Sequence, residues 1–408
     1  MRTYLIFIWH GIFLAFTMAT IDLNTVFPSL ITDLGGSKVI FGLLYSILLG
    51  APYLFNLLFG HYIHKHVFRR KFLLIGIYLR GLSFVGMAAT TYFFAVHAPG
   101  IVVASFFFWT FLFSVSGGFA GISYTDIIGK LVPPAERGKL YAAKQFTSSI
   151  AAFVGGLVVA GAFSTTNLPF PDNYSLVLGM GGVGLFTAAI AFWFIREPPS
   201  PIAADNRISF RALLRQVPKI LGSNREFLRF IIVQNLTSFS LMVMPFYMVF
   251  AKERFQVADS YIGRYLLVQI AGAVLSNIVW GFIANKRGPK TVVRTCIALG
   301  GLIPLVAVGA AYIGPNAFAA VFFLVGFIRS GRQVGFDPYT LEIVPEGERP
   351  VYLGIQGTFN VLIVVMPFLG GVFIHLCGYY PVFILTTAVM GLAYALLVRD
   401  NSISAAGR

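Results

Sequence analysis

Residues 57–71 read LLFGHYIHKHVFRRK, and residues 278–290 read IVWGFIANKRGPK. In each, an apolar run reaches a glycine, Gly60 or Gly281, and soon gives way to a short basic segment. The apolar part suits lipid and the basic part suits the inner water interface, so each stretch marks a chain leaving a membrane. The two glycines are 221 positions apart, and the same shift carries Gly42 onto Gly263. A second pair of segments, VPPAERGKLY from Val132 and VPEGERPVYL from Val344, matches at a shift of 212. Pro133, Glu136 and Arg137 there meet Pro345, Glu348 and Arg349, and Pro28 and Pro245 take similar places in the first and seventh apolar stretches. An ordered set of matches indicates two parallel halves produced by internal duplication.

Composition agrees with a lipid solvent. The 408 residues are 57% apolar and only 11% charged, where a soluble domain carries about 25% charged residues. Crossing the hydrocarbon takes roughly 20 helical residues. Twelve stretches qualify: 4–30, 39–60, 72–95, 100–127, 140–163, 176–195, 228–250, 261–283, 291–313, 317–341, 352–376 and 380–398. They are too long for the alternating strands of a membrane barrel, and helices satisfy their own backbone in lipid. The expected fold is an all-α polytopic membrane protein with twelve transmembrane helices in two pseudo-symmetric six-helix bundles, 1–195 and 228–408. Residues 196–227 form a cytoplasmic linker, in which Ser209 to Leu221 suits a surface amphipathic helix, with Arg211, Arg215 and Lys219 spaced by four. A plain solvated linker is the simpler reading. The first stretch, Tyr4 to Pro28, is too long for a removable signal and is expected to remain as a membrane helix.

Charge sets the orientation. With the N-terminus inside, inner segments hold 22 of the 30 Lys and Arg residues, and outer loops hold only Lys38, Lys252, Arg254 and Arg264. Both termini are therefore expected in the cytoplasm of a bacterial-type plasma or inner membrane. This placement accounts for the net charge of +15 without nucleic acid. Two cysteines, Cys296 and Cys377, give neither a disulfide framework nor metal-ligand spacing. The six histidines form no convincing metal site, no nucleotide-binding loop is present, and no cofactor is expected.

The loops after helices 2 and 8 resemble those of the major facilitator superfamily. The family pattern is Gly, three variable residues, Asp, Arg or Lys, one variable residue, Gly, then basic residues. The first copy here runs from Gly60 through His64, Lys65, Val67 and Arg69, and the second from Gly281 through Asn285, Lys286 and Gly288. The expected acid is His64 in one copy and Asn285 in the other, and Val67 replaces a glycine. The resemblance implies that these loops help close the inner face. Its gating group here is Gly60, His64, Lys65, Arg69, Gly281, Asn285 and Lys286. Asp126 with Lys130, and Asp337 with Glu342, are candidates for the charge contacts that His64 and Asn285 cannot make. Gly60 and Gly281 are expected to permit close helix approach. The bland reading is that the charges only snorkel to the interface. Helix 5 reads FTSSIAAFVGGLVVAGAF from Phe146, with no proline, and lacks the Gly and Pro pattern of some antiporters. Symport and antiport both stay open.

Charges inside the membrane face a cavity, a partner or water. Asp22 lies about 27 Å along helix 1, beside Asn24 and Thr25, and is the candidate proton-coupling group; a fixed ion pair is the alternative. Arg80 lies about 13 Å into helix 3, and Lys144 sits near the inner end of helix 5. Each is a substrate ligand or a snorkelling cation. Arg329 and Arg332, one turn apart in helix 10, bind an anion or join an internal salt bridge. Gln234, Asn235, Gln356 and Asn360 add hydrogen bonds.

These residues favour a secondary transporter that moves a small organic solute, an organic anion in the leading form, by alternating access with a proton as coupling ion. The chain needs only a solute, the bilayer and, when coupled, protons, and a monomer suffices. The competing readings are a proton-coupled exporter of amphiphilic or cationic drugs and, from another class, a non-transporting receptor or a membrane-embedded enzyme.

Overall fold

The computed structural model describes residues 2–64, 66–164, 168–199, 217–218, 220–345, 352, 355–357 and 359–406. These residues are helical, and no strand occurs among them. The first half contains α1 (Arg2–Thr20), α2 (Val26–Asp33), α3 (Lys38–His64), α4 (Arg70–Phe94), α5 (Pro99–Leu131), α6 (Pro134–Ser164) and α7 (Asp172–Trp193). The second contains α8 (Arg225–Thr237), α9 (Tyr247–Phe255), α10 (Ser260–Arg287), α11 (Pro289–Ile313), α12 (Pro315–Ile343), α13 (Leu362–Cys377) and α14 (Tyr379–Ala406). Eleven helical segments are long and apolar enough to cross a membrane, and Lys38–Pro52 within α3 adds a shorter apolar one. Their outward surfaces are apolar: Phe194 and Ile278 are each 76% exposed, an arrangement that lipid tails, not water, would solvate. Most of the amphipathic stretch expected at Ser209 to Leu221 lies outside the described residues.

Two of the expected helices are interrupted, at 21–25 and at 238–246. The first stretch stops at Thr20 and restarts at Val26. Pro28 then sits in the first turn of α2, where its missing N–H would have had no intrahelical partner. The Asp22 carboxylate fills the gap by accepting from the Asn24 N–H and the Thr25 hydroxyl, each at 3.0 Å. The seventh stretch passes through 3-10 turns at Ser238–Met242 and Met244–Phe246 before resuming as α9. There the Thr237 and Ser238 hydroxyls both donate to the Gln234 carbonyl, at 2.8 and 3.1 Å. Hydroxyls that occupy helix carbonyls loosen the helix, and Pro245 removes a further donor.

Contacts divide the chain into two compact units. One comprises Met1–Asp205 with Val257–Ile270, and the other Asn206–Gln256 with Ala271–Arg408. Within the first of these units, the start of α10 packs on α6. A Cβ on Gly263 would strike the Ala160 backbone, and one on Gly156 would lie 2.8 Å from Ile270 Cδ1. Such backbone approach by small residues is how helices adhere in lipid. In the first unit α4 packs on α5 and α7, while α1 packs on α6 and α7. In the second, Trp280, Val292, Cys296, Tyr339 and Met390 belong to one buried cluster joining α10, α11, α12 and α14.

Candidate functional site

In the first unit, Gly11 and Met18 of α1 each meet a cation from a neighbouring helix, and His10 lies beside the first of them. Gly11 is open because the Lys144 stem from α6 lies there; a Cβ would sit 2.7 Å from Lys144 Cγ. The Lys144 ammonium donates to the Tyr124 hydroxyl at 2.8 Å and lies 4.7 Å from that ring's centroid. The buried His10 ring lies 5.1 Å from the Tyr124 ring, and its Nδ1 has no hydrogen-bond partner. Further along, Arg80 from α4 reaches Met18 Sδ at 4.0 Å and stacks 4.4 Å from the Phe113 ring centroid. Its Nε is buried without a partner. Arg80 and Lys144 have no carboxylate partner among the described residues. The structure thus leaves both cations inside the first unit without the ion pair that would neutralise them.

Asp22 is also buried. Besides the two bonds across the helix break, its Oδ2 accepts from Gln269 Nε2 on α10 at 2.8 Å. Both oxygens of the Asp22 carboxyl group therefore take part in hydrogen bonds. Asn24 Oδ1 and Gln269 Oε1 are buried and have no partner.

In the second unit, the amides collect. Gln234 Oε1 accepts from Gln356 Nε2 at 3.1 Å and from Asn360 Nδ2 at 3.4 Å, and Gln356 Nε2 also donates to Thr340 Oγ1 at 3.2 Å. Asn235 stands apart from this group and donates to the Ile231 carbonyl of its own helix. The two arginines of α12 have different surroundings. Arg332 donates to Thr237 Oγ1 at 3.3 Å, stacks on Phe336, and lines a cavity of about 10 Å³ with Tyr247, Cys296 and Met390. That cavity has room for about one water. Arg329 lies on an exposed part of α12.

The expected gating residues meet with differing outcomes. Gly60 and His64 lie in the last two turns of α3, and Lys65 lies outside the described residues. Arg69 is buried and pairs with Asp126, which also meets Lys130 at 2.8 Å. Lys130 continues to Glu197 at 2.5 Å. Glu197 in turn accepts the N–H groups of Arg69 and Arg70 at the start of α4, at 2.8 to 2.9 Å. Among the described residues, a Cβ on Gly281 would meet nothing within 4 Å. Asn285 and Lys286 are exposed, the latter lying against its own neighbour Phe282. Asp337 is exposed, while Tyr339 and Lys290 both contact Glu226, at 2.8 and 3.5 Å.

Glu197, Gln269, His10 and Tyr124 complete these sites and were not singled out for them from the sequence. Gln269 had a usable signal, since it is an uncharged polar residue deep in an apolar stretch. Glu197 had none, because its partners lie 67 or more positions away.

Comparison with known proteins identifies the family. The sequence profile of the Major Facilitator Superfamily matches residues 8–257 and 230–406. A search of curated sequences gives no significant match. Among solved structures, the nucleoside transporter NupG superposes with a TM-score of 0.71 at 14% identity, covering 97% of this chain and 99% of that one. A D-xylose–proton symporter gives 0.70 at 15% identity, covering 97% and 96%. A POT family transporter in complex with 5-aminolevulinic acid gives 0.72 at 11% identity, covering 97% and 95%. Identities this low speak for the fold alone; with the profile match over both halves, the chain belongs to the Major Facilitator Superfamily and is a secondary transporter that carries a small solute across a membrane.

Proposed function

We propose that this transporter carries a small organic anion by alternating access, coupled to a proton held by Asp22. The observation that carries the reading is the pair of cations, Arg80 and Lys144, without an acidic partner among the described residues. An intramembrane cation is costly unless something neutralises it, and an anionic solute would do so transiently. Within the second unit, Arg332 and Arg329, with Gln234, Asn235, Gln356 and Asn360, are the candidate substrate ligands. Asp22 supports coupling because it is buried, lies at a helix break and keeps two vacant acceptor oxygens nearby, Asn24 Oδ1 and Gln269 Oε1. Arg69, Asp126, Lys130 and Glu197 form the inner closure with Gly60, His64 and Lys65, and Gly281, Asn285, Lys286 and Asp337 act in the second half.

In this reading α1 with α2 is one spanning helix and α8 with α9 another, giving twelve in two six-helix halves, 1–195 and 228–408. Both termini are cytoplasmic, in a bacterial-type plasma or inner membrane, and the monomer is the working unit.

The test is flux in proteoliposomes with imposed gradients of pooled organic anions, zwitterions and cationic drugs. Anion-dependent proton movement is expected in the wild type. Asp22→Asn is expected to abolish the proton component, and Arg80→Gln to lower anion flux about tenfold, the loss of one charge-assisted contact. Proton movement with cationic drugs alone would overturn the anion assignment, and anion flux without protons would remove Asp22 from coupling.

A further inference from the structure

Arg80 and Lys144 are anchored at two levels of the same wall. On α1, Lys144 lies against Gly11 and Arg80 against Met18. On α5, Lys144 meets Tyr124, and Arg80 is the neighbour of Gly117, whose Cβ would lie 3.5 Å from Arg80 Nε. Both helices therefore give the same offset, seven residues, which is two turns or about 10 Å. One carboxylate spans only a small part of that distance. The two cations thus have contact points two turns apart on both helices, and an anion meeting each at that spacing would carry two acidic groups.

Among the described residues of the unit, no carboxylate is recorded against either charge. His10 stands next to Gly11 at the Lys144 end, its ring 5.1 Å from the Tyr124 ring. It can offer only an imidazole, whose Nδ1 is buried and unpaired. Asp22 is engaged with Asn24, Thr25 and Gln269. Tyr124 accepts from Lys144 but brings no charge. The wall thus offers two positive groups at different levels, each against a ring: Arg80 on Phe113, and Lys144 on Tyr124 with the His10 imidazole beside it.

We infer that the substrate is a linear dicarboxylate, one carboxylate bound by Lys144 with Tyr124 beside His10, the other by Arg80, and its carbon chain running between the two levels. The inference rests on the anion reading above and narrows it to a substrate with two acidic groups held apart. Lys144 offers three donors on one nitrogen and Arg80 a planar fork, so the two ends differ: Arg80 suits bidentate capture and Lys144 a point contact.

The test is equilibrium binding to the purified full chain in detergent, read by ligand-induced thermal stabilisation and by isothermal titration. The probes are the linear diacids from malonate to suberate, matched monocarboxylates, and inorganic phosphate, which carries its charge on one group. Affinity is expected to peak at an intermediate diacid length and to exceed the matched monocarboxylate about tenfold or more, one charge-assisted contact. Arg80→Gln and Lys144→Gln should each bring the best diacid down to the monocarboxylate level, and the double variant should lose no more than the sum. Arg80→Lys should retain binding but weaken the length preference; together with Lys144→Arg it serves if a glutamine variant does not fold. Equal binding of mono- and dicarboxylates, equal binding of phosphate, unchanged affinity in both single variants, or no diacid binding at all would each overturn the inference. Diacid binding without flux in vesicles would sink the transport reading and leave the site standing. Flux of monoanions without diacid binding would do the reverse.

Discussion

At the scale of single residues, Glu197 carries the greatest local demand. Its side chain is almost fully buried, and it accepts from two backbone N–H groups and one ammonium at once. The first N–H groups of a helix have no intrahelical acceptor, and a carboxylate there also meets the positive end of the helix dipole. Removing it leaves the start of α4 without its acceptor and Lys130 with Asp126 as its remaining carboxylate in the network. Glu197→Ala should therefore cost about 3 kcal/mol, the range seen when one partner of a buried ion pair is deleted. Glu197→Gln, which keeps an acceptor, should cost about half as much. Urea or SDS unfolding of the purified protein measures both; equal, small effects would show that the network contributes little. This residue also shows the limit of reading a site from sequence. Arg80, Lys144 and Asp22 were legible because a charge in an apolar stretch is conspicuous by itself. Glu197 sits among prolines and charges at the end of α7, where one more acid carries no signal until the fold brings Arg69 and Lys130 to it. His10 was visible but had no assigned role, because Tyr124 and Lys144 reach it only through tertiary packing.

At the scale of elements, long apolar stretches were legible and their interruptions were not. Hydropathy averages over about 20 residues, so a five-residue break such as 21–25 disappears into a span. The causes are local and polar: the Asp22 carboxylate in one case, the Thr237 and Ser238 hydroxyls with Pro245 in the other. Glycines show the same limit from another side. Gly281 stands in the loop pattern of the family, yet its surroundings among the described residues are open, whereas Gly263 meets the Ala160 backbone. Gly263→Leu should separate α10 from α6 and cost several kcal/mol or prevent folding, since neither backbone can yield as a side chain can. Gly281→Leu should leave stability within about 0.5 kcal/mol, as for an open site. Size-exclusion of detergent-solubilised protein and its thermal midpoint compare the two. A well-folded Gly263→Leu protein would mean that α10 does not pack as described.

At the scale of the whole molecule, charge asymmetry and topology should agree at one chemical probe that the chain already carries. Cys377 ends α13 and is exposed, while Cys296 is buried in the second unit. If both termini are cytoplasmic and twelve helices cross, the turn after α13 faces the outside. The reverse orientation would put 22 of the 30 basic residues outside, against the cytoplasmic excess of Lys and Arg that governs insertion. A membrane-impermeant maleimide should therefore label Cys377 in right-side-out vesicles, and Cys377→Ser should abolish the signal. Cys296 should label only after denaturation, since Trp280 and Tyr339 belong to the same buried cluster. Labelling of Cys377 confined to inside-out vesicles would reverse the orientation or change the number of crossings before α13. It would then move the Arg69, Asp126 and Glu197 network from the inner to the outer face, and with it the side on which that network could close the transporter.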